Sequence, residues 1–288
     1  MAALSRRYIG GGGIGGAGVR RWGAIGAMLL CAGAVAGQAL AGQAPANPPA
    51  TAPAGQSAGK TPGAASSNAL PTADQVLAHY IRALGGEQVL RKFTARVMKG
   101  TFEVPAQQIS GEAEIDMVAP DRFCSVVRIA DAGEFVQAFD GAAGWSYDPQ
   151  SGLRDITGPE LDQLRRGSQF QHDLRFRELF PRVRVLERVV EEGRPAWVLE
   201  ATPAGGPAEK FYFDTETGLL VRHDSTQSTP EGEQAIEHRY SDYITVDGAQ
   251  FPSLLRHKDP SLEWRVKFTE IRNNVAIDAG RFAKPVAQ

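Results

Sequence analysis

The chain has very few cysteines: two among 288 residues, Cys31 and Cys124. Cys31 lies in an N-terminal segment with the features of a removable signal, so one cysteine remains and no intramolecular disulfide can form. The absence of a Cys-x-x-Cys-His motif excludes covalent attachment of a c-type haem. Cys124 lies within an apolar strand pattern, between Phe123 and Ser125, which predicts a small buried thiol rather than a nucleophile.

The chain also lacks an excess of basic charge. Without the four arginines that precede residue 42, its 27 basic residues stand against 33 acidic ones, a net charge of −6. This balance gives no general attraction to polyanions, so we predict no nucleic-acid partner.

No long apolar run is present. The uncharged run at residues 22–41 is rich in Ala and Gly, and its apolar centre, residues 25–35, is short for a membrane span. Basic pairs at Arg6-Arg7 and Arg20-Arg21 precede it, and the small-x-small sequence Ala39-Leu40-Ala41 ends it. We therefore predict a signal peptide over 1–41 and export to the periplasm or cell envelope. A retained anchor that associates with the membrane through the N-terminus is the alternative.

Residues 42–71 are almost wholly Ala, Pro, Gly, Ser, Gln and Thr. Such a segment buries too little apolar surface to offset its ordering entropy, so we predict a disordered linker. Residues 54–61 fit a relaxed phosphate-loop pattern, but that motif needs a preceding strand and a following helix. No cofactor is predicted, and residues 72–288 are assigned to one folded domain.

The folded part opens with a helical pattern and continues with strands. Residues 74–84 carry apolar residues at helical spacing, with Thr72 as N-cap and Gly85-Gly86 as the stop. A short helical turn is predicted over 87–92. Period-2 patterns then predict strands at 94–104, 109–118, 121–130, 133–140, 143–147, 182–191, 194–202, 208–214, 218–227, 234–247, 250–258 and 262–271. A loosely helical insertion at 159–180, broken near Gly167, separates the two runs of strands. Because strands and helices do not alternate, we predict a mainly β (α+β) fold with an antiparallel sheet.

The clearest single unit is a β-hairpin at residues 210–222. Aromatic and β-branched residues fill both arms, and the turn Asp-Thr-Glu-Thr-Gly lies between them. Gly218 supplies the positive φ that a short hairpin turn needs.

Large apolar residues recur on one face of these strands, while the opposite positions, such as Glu263, Arg265 and Lys267, are polar. An apolar face shared by so many strands must meet helices, curl into a barrel or enclose a ligand. With few helices available as cover, we predict a cavity for an apolar ligand. The predicted cavity-lining residues are Phe123, Phe139, Trp145, Trp197, Phe211, Phe213, Trp264 and Phe268. The predicted lid residues are Leu161, Leu164, Phe170 and Leu174. The alternative for each residue is that it simply fills the interior.

Histidines and arginines are the remaining candidates for chemistry. His223 and His238 are expected to approach across neighbouring strands, with Asp214, Glu216 or Glu237 nearby. Because no metal-ligand spacing is present and strand histidines commonly face solvent, no metal site is predicted. Eight arginines lie between residues 165 and 194. Interspersed acidic residues favour a mixed-charge surface over a site for a lipid phosphate or an acidic partner.

Three segments resemble the outer-membrane lipoprotein-sorting (LolA/LolB-like) superfamily: residues 139–149, 210–219 and 240–252. The resemblance spans about residues 72–285. It also extends to exported bacterial proteins that are catalogued under a photosynthetic reaction-centre cytochrome c subunit name, although this chain has no haem motif. The resemblance implies an unclosed antiparallel barrel, with helices on the concave side where acyl chains or other lipids bind.

Three functions follow as hypotheses. The first is an exported binding protein that holds an apolar small molecule, a lipid or an acylated polypeptide, with a role in envelope lipid or lipoprotein trafficking. The second is an envelope structural or interaction protein with a filled core and a protein partner. The third is a non-hydrolytic enzyme that acts on an apolar metabolite. No nucleophile–base pair is evident, so no catalytic residues are predicted and the enzyme ranks last.

Overall fold

The computed structural model of this protein describes residues 70–230 and 232–286. The predicted signal peptide and nearly all of the predicted linker lie outside the described residues, so both stay predictions. Within the described ranges, no helix combines the length and apolar character needed to cross a membrane.

The described chain forms one antiparallel sheet of thirteen strands, which confirms the predicted mainly β class. The strands are β1 (Ala95–Val104), β2 (Ile109–Val118), β3 (Arg122–Ile129), β4 (Gly133–Phe139), β5 (Gly144–Asp148), β6 (Gly152–Ile156), β7 (Arg182–Glu191), β8 (Arg194–Thr202), β9 (Glu209–Asp214), β10 (Leu220–Thr229), β11 (Gly232–Val246), β12 (Ala249–Lys258) and β13 (Glu263–Asn273). The order across the sheet is β6-β5-β4-β3-β2-β1-β13-β12-β11-β10-β9-β8-β7. Strands that are neighbours in the sheet are consecutive in sequence, except β1 and β13. Their pairing joins the half formed by β1–β6 to the half formed by β7–β13.

The two edge strands, β6 and β7, are not paired with each other in the described sheet, so the sheet is not closed. Residues 157–181, called the lid segment because they include the four predicted lid residues, connect them and carry α3 (Gly158–Gly167) and α4 (Phe176–Leu179). Helix α3 contacts both β5 and β10. Strands that far apart would be separated by about 40 Å in a flat sheet. The sheet therefore curls around α3, as the family resemblance implied.

Helix α1 (Ala73–Ala83) begins and ends where the sequence indicates. Thr72 forms a capping box with Gln75. Gly85 has φ +114°, and a Cβ there would lie 2.3 Å from the carbonyl oxygen of Gly248. The glycine stop thus lets the end of α1 dock on the β11–β12 turn, where the Gln250 N–H donates to the Leu84 carbonyl at 3.0 Å. Helix α2 (Glu87–Leu90) follows.

The predicted hairpin is confirmed as β9 and β10. The Asp214 Oδ1 accepts hydrogen bonds from the backbone N–H groups of Glu216 and Thr217, which folds the turn. Gly218 has φ +76°, as the turn requires.

The sheet buries apolar residues on both faces. On the inner face, the main core gathers α1, the lid segment and one side of the strands. On the outer face, a smaller cluster contains Cys124, Trp145 and Phe282, and the Trp145 indole N–H donates to the Phe282 carbonyl at 2.9 Å. Cys124 is fully buried, as predicted.

Candidate functional site

Six of the eight predicted cavity-lining residues come together in the main inner core, each at most 3 % exposed: Phe123, Phe139, Phe211, Phe213, Trp264 and Phe268. Trp197 is partly buried against that core, with the Arg188 guanidinium 5.9 Å from its ring centre. These side chains belong to one buried apolar cluster together with residues of the helices. Their contact with a ligand stays a prediction.

Trp145 does not join them, and its expected place beside Phe139 is corrected. In the β4–β5 register, Phe139 lies opposite Gly144, and Trp145 lies opposite Ala138. Residues opposite each other share a face, so Trp145 and Ala138 point to the outer side. Trp145 therefore cannot line an inner cavity.

The four predicted lid residues lie in two places, two on α3 and two in the segment that follows it. Leu161 and Leu164 lie on α3, and Leu164 is fully buried. Phe170 and Leu174 follow α3. Phe170 is fully buried, its N–H donates to the Pro120 carbonyl at 2.9 Å, and its ring lies 5.3 Å from the Arg96 guanidinium. Phe170 is thus anchored in the core, whereas α3 is the part that covers the inner face.

Helix α3 is held to β10 by one glutamine. Strand β9 pairs with β10 only as far as Asp224. Beyond that point, the Gln163 amide donates to the Thr226 carbonyl at 2.7 Å and accepts from the Ser228 N–H at 2.9 Å. Gln163 therefore satisfies the backbone of β10 where no strand does. The sequence carried no signal for this role, since an isolated glutamine on a helix is ordinary.

A second contact between α3 and the sheet is ionic. The Arg166 guanidinium donates to the Glu209 Oε1 at 2.7 Å, and the other carboxylate oxygen contacts the His223 Nε2 at 2.8 Å. Burial acts to raise the pKa of Glu209, but the hydrogen bond and charge of His223, together with Arg166, hold that pKa below its ordinary value. Glu209 is therefore a buried carboxylate, and Arg166 is one member of the arginine run with a specific partner.

A cavity of about 60 Å³ lies beneath these two contacts. Nine of its twelve lining residues have polar side chains, although apolar atoms form most of its surface: Gln163, Arg166, Gly167, His172, Phe180, Glu209, His223, Ser225, Thr226, Gln227, Ile236 and His238. Because one water needs at least about 10–15 Å³ of such accessible space, the cavity suits a few waters or a small polar group. It is too small for an acyl chain while α3 is in place.

Three histidines form a row across the sheet beside this cavity. His223, His238 and His257 lie directly opposite one another on β10, β11 and β12. The close approach of His223 and His238 is confirmed, but the expectation that they face solvent is wrong: all three side chains are buried. Inward-facing polar residues of this kind are hidden from pattern analysis, which assigns polar positions to the solvated face.

The row ends on a carboxylate. His257 contacts the His238 Nε2 through its Nδ1 at 2.9 Å and the Asp259 Oδ2 through its Nε2 at 3.2 Å. Burial acts to raise the pKa of Asp259, but the bonds from His257 and Ser261 lower it to about 2. Burial lowers the pKa of His257 and holds that of His238 well below its ordinary value. Among the described residues, no group of three His, Cys, Asp or Glu side chains is arranged to hold a metal ion.

A second polar group is buried between α1 and the lid segment. The Tyr80 hydroxyl donates to the Asp173 Oδ1 at 2.9 Å. Burial raises the pKa of Asp173 to about 7, against the opposing effects of Tyr80 and Arg96. Arg96 is itself buried among the rings of Phe93, Phe170 and Phe251, and this burial lowers its pKa to about 10.

No protein-family model and no curated protein matches the chain. Solved structures do match, each at low sequence identity. A LolA superfamily protein from Nitrosomonas europaea has 12 % identity and a TM-score of 0.49, covering 75 % of this chain and 99 % of that one. A DUF1329 family protein from Desulfovibrio piger has 13 % identity and a TM-score of 0.49, covering 73 % and 96 %. An outer membrane lipoprotein-sorting protein domain from Vibrio parahaemolyticus has 13 % identity and a TM-score of 0.46, covering 73 % and 94 %. The likeness is one of fold.

Proposed function

We propose that this protein binds an apolar ligand, a lipid or an acyl chain, on the inner face of its sheet, and that α3 moves aside to admit it. One observation carries the proposal. The curled apolar sheet is covered at the cavity by a ten-residue helix that attaches to β9 and β10 through the side chains of Gln163 and Arg166. The anchored Phe170 lets α3 move while the rest of the lid segment stays in the core.

The magnitudes are compatible with such a movement. Exposing Leu164 costs about 2 kcal/mol. The two Gln163 hydrogen bonds contribute about 1 kcal/mol each, and the charge-assisted bond of Arg166 about 2 kcal/mol. The proposed movement keeps the ion pair between Glu160 at the start of α3 and Arg154 on β6, because that end of the helix directly follows β6. An acyl chain that buries ten CH₂ groups gains about 8 kcal/mol, at about 0.8 kcal/mol per group. Ligand burial therefore offsets the cost of displacing α3.

The predicted signal peptide indicates where in the cell this binding site would operate. An exported protein with a net charge of −6 meets lipids and acylated proteins in the periplasm or cell envelope. We accordingly propose a role in envelope lipid or lipoprotein trafficking, in which a protein partner delivers or receives the ligand.

The test is uptake of a single-chain acyl probe that carries an environment-sensitive fluorophore. Gln163→Ala lowers the free-energy cost of displacing α3 by about 2 kcal/mol, so probe uptake is expected to become about thirtyfold faster. Gln150→Ala, the same chemical change on an exposed turn, is the matched control and leaves uptake unchanged. Saturable uptake that Gln163→Ala accelerates supports the proposal. Absence of binding to both the wild type and Gln163→Ala refutes it.

The dense packing of the inner face favours a second candidate function. With its aromatic residues almost fully buried, the interior needs no guest for stability, as expected of an envelope interaction protein. Edge strand β7 carries Val190, whose side chain is 74 % exposed. If the protein is an interaction protein that uses β7, Val190→Lys weakens its cross-linking to an envelope protein, whereas Gln163→Ala has no effect on that cross-linking.

A further inference from the structure

The hydrogen-bond direction along the histidine row is set by Asp259. The ionised Asp259 carboxylate can only accept, so the His257 Nε2 carries the proton between them. A neutral imidazole with a protonated Nε2 has a lone pair on Nδ1, so the His257 Nδ1 accepts from the His238 Nε2. The second nitrogen of His238, Nδ1, is then an unprotonated acceptor.

That acceptor has no partner within the described residues. The His238 side chain is 3 % exposed and lines the cavity, and its Nδ1 is buried without a hydrogen bond. A buried, unsatisfied acceptor costs about 1–3 kcal/mol unless a ligand or a water donates to it. Because His238 lines the cavity, a hydrogen-bond donor bound there is the candidate partner for its Nδ1.

The other charged groups of the cavity exclude some donors. Glu209 is ionised, and Arg166 is paired with it. A carboxylate or phosphate in the cavity would compete with Glu209 for Arg166 and would also meet the Glu209 charge at close range. An ammonium group would have to be buried beside the Arg166 guanidinium. A hydroxyl group meets neither repulsion and can donate to the His238 Nδ1.

The proposed function places the alkyl part of a ligand beside this cavity, and the next step rests on it. We propose that the cavity binds the hydroxyl end of the apolar ligand, which is therefore a long-chain or polycyclic alcohol rather than a free fatty acid or a phospholipid headgroup. The hydroxyl donates to the His238 Nδ1, and Asp259 acts as a positioning residue by fixing the tautomers of His257 and His238. His172, on the lid segment, has a second buried Nδ1 without a described partner and lines the same cavity.

The test is competition against the bound acyl probe by three sixteen-carbon compounds: 1-hexadecanol, hexadecanoic acid and hexadecane. With the full-length wild-type protein, the alcohol is expected to displace the probe about tenfold more effectively than the alkane or the acid. His238→Phe keeps a ring of similar size but removes the acceptor, so the preference for the alcohol is lost while the alkane competes as before. His79→Phe, a matched change on the partly exposed side of α1, keeps the preference.

The outcomes separate the two proposals. If the acid or the alkane competes as well as the alcohol, the alcohol assignment is overturned and the cavity holds water only, while apolar-ligand binding stands. If no compound displaces the probe, or the probe does not bind, both proposals fail. The wild-type comparison decides the alcohol assignment even if His238→Phe does not fold.

Discussion

Asp173 gives the fold a pH dependence that one substitution should remove. Its Oδ1 accepts from the Tyr80 hydroxyl at 2.9 Å, and its Oδ2 is buried without a partner in the described structure. A buried carboxylate with one hydrogen bond is poorly stabilised in its charged form. This is the physical reason that burial raises the pKa of Asp173 to about 7. We expect Asp173→Asn to stabilise the protein relative to the wild type as the pH rises.

The sign follows from proton linkage. Between pH 4 and pH 7, the folded protein keeps a proton on Asp173 that the unfolded chain has released. The stability that Asp173 contributes is therefore fully present below pH 4 and is lost as the pH rises towards 7. A shift of about three pKa units corresponds to about 4 kcal/mol over the full range, and the part between pH 5 and pH 8 is roughly 3 kcal/mol.

Buried histidines act in the opposite direction. Burial lowers the pKa of His172 to about 4 and also lowers the pKa values of His238 and His257. Below pH 6.5 the unfolded chain binds protons at these histidines that the folded protein does not bind. Wild-type stability therefore increases as the pH rises towards 6.5. The total pH profile therefore mixes both effects. The histidine contributions are the same in Asp173→Asn and in the wild type, so they cancel when the two free energies of unfolding are subtracted. The remaining pH dependence is that of Asp173.

The assay is urea unfolding of both proteins at pH 5, 6, 7 and 8. The free energy of unfolding of Asp173→Asn minus that of the wild type should increase by roughly 3 kcal/mol across this range. Asp155→Asn, at an exposed ion pair with Lys284, is the control and should give a nearly constant difference. A constant difference for Asp173→Asn would refute the assignment of a buried, protonated carboxyl group.

Three further changes test the fold. Gly100→Ala should destabilise by about 3 kcal/mol in thermal unfolding, because a Cβ at this β1 position would lie 2.1 Å from the Lys267 carbonyl oxygen. Thr72→Ala should cost about 1 kcal/mol in urea unfolding through loss of the α1 cap, and Thr72→Ser should restore most of it. Cys124 should react with a thiol reagent only at the rate of unfolding; rapid labelling of the native protein would contradict its burial.

Twelve of the thirteen strands could be predicted because local signals specify them. Alternating apolar residues bounded by glycine, proline and aspartate turns set most strand limits within a few residues, as the hairpin at Asp214 and Gly218 illustrates. Strand β6 was missed. Its interior residues, Leu153, Arg154 and Asp155, do not alternate, and as an edge strand it pairs only with β5. Edge strands need less apolar burial, so their pattern is weak.

Which face a side chain occupies was less predictable than the strand itself. The β4–β5 turn is folded by the Asp140 Oδ1, which accepts from the N–H groups of Ala142 and Ala143. This turn pairs Phe139 with Gly144 and so sends Trp145 to the outer face. A register difference of one residue would reverse that result. Sequence patterns identify the strand, but the turn geometry decides the face.

The cavity depends on contacts that no local pattern contains. The sheet must curl before Gln163 on α3 can reach Thr226 on β10, and β11 and β12 must be in register before His238 meets His257. These contacts join residues far apart in sequence. The approach of His223 and His238 was predictable because their strands are consecutive in sequence, but their burial was not.

The inner core contains groups that stability alone would not select. Replacing buried charged or polar pairs with well-packed apolar side chains is often neutral or stabilising. This core nevertheless keeps Asp173 with an unpartnered oxygen and His238 with an unpartnered nitrogen. Departures from the rules of core composition concentrate at functional or strained sites. Here His172 on the lid segment lines the cavity together with His238, and Asp173 follows His172 directly in sequence. His172 and His238 therefore line the space that α3 covers, which is where the proposed ligand would contact them.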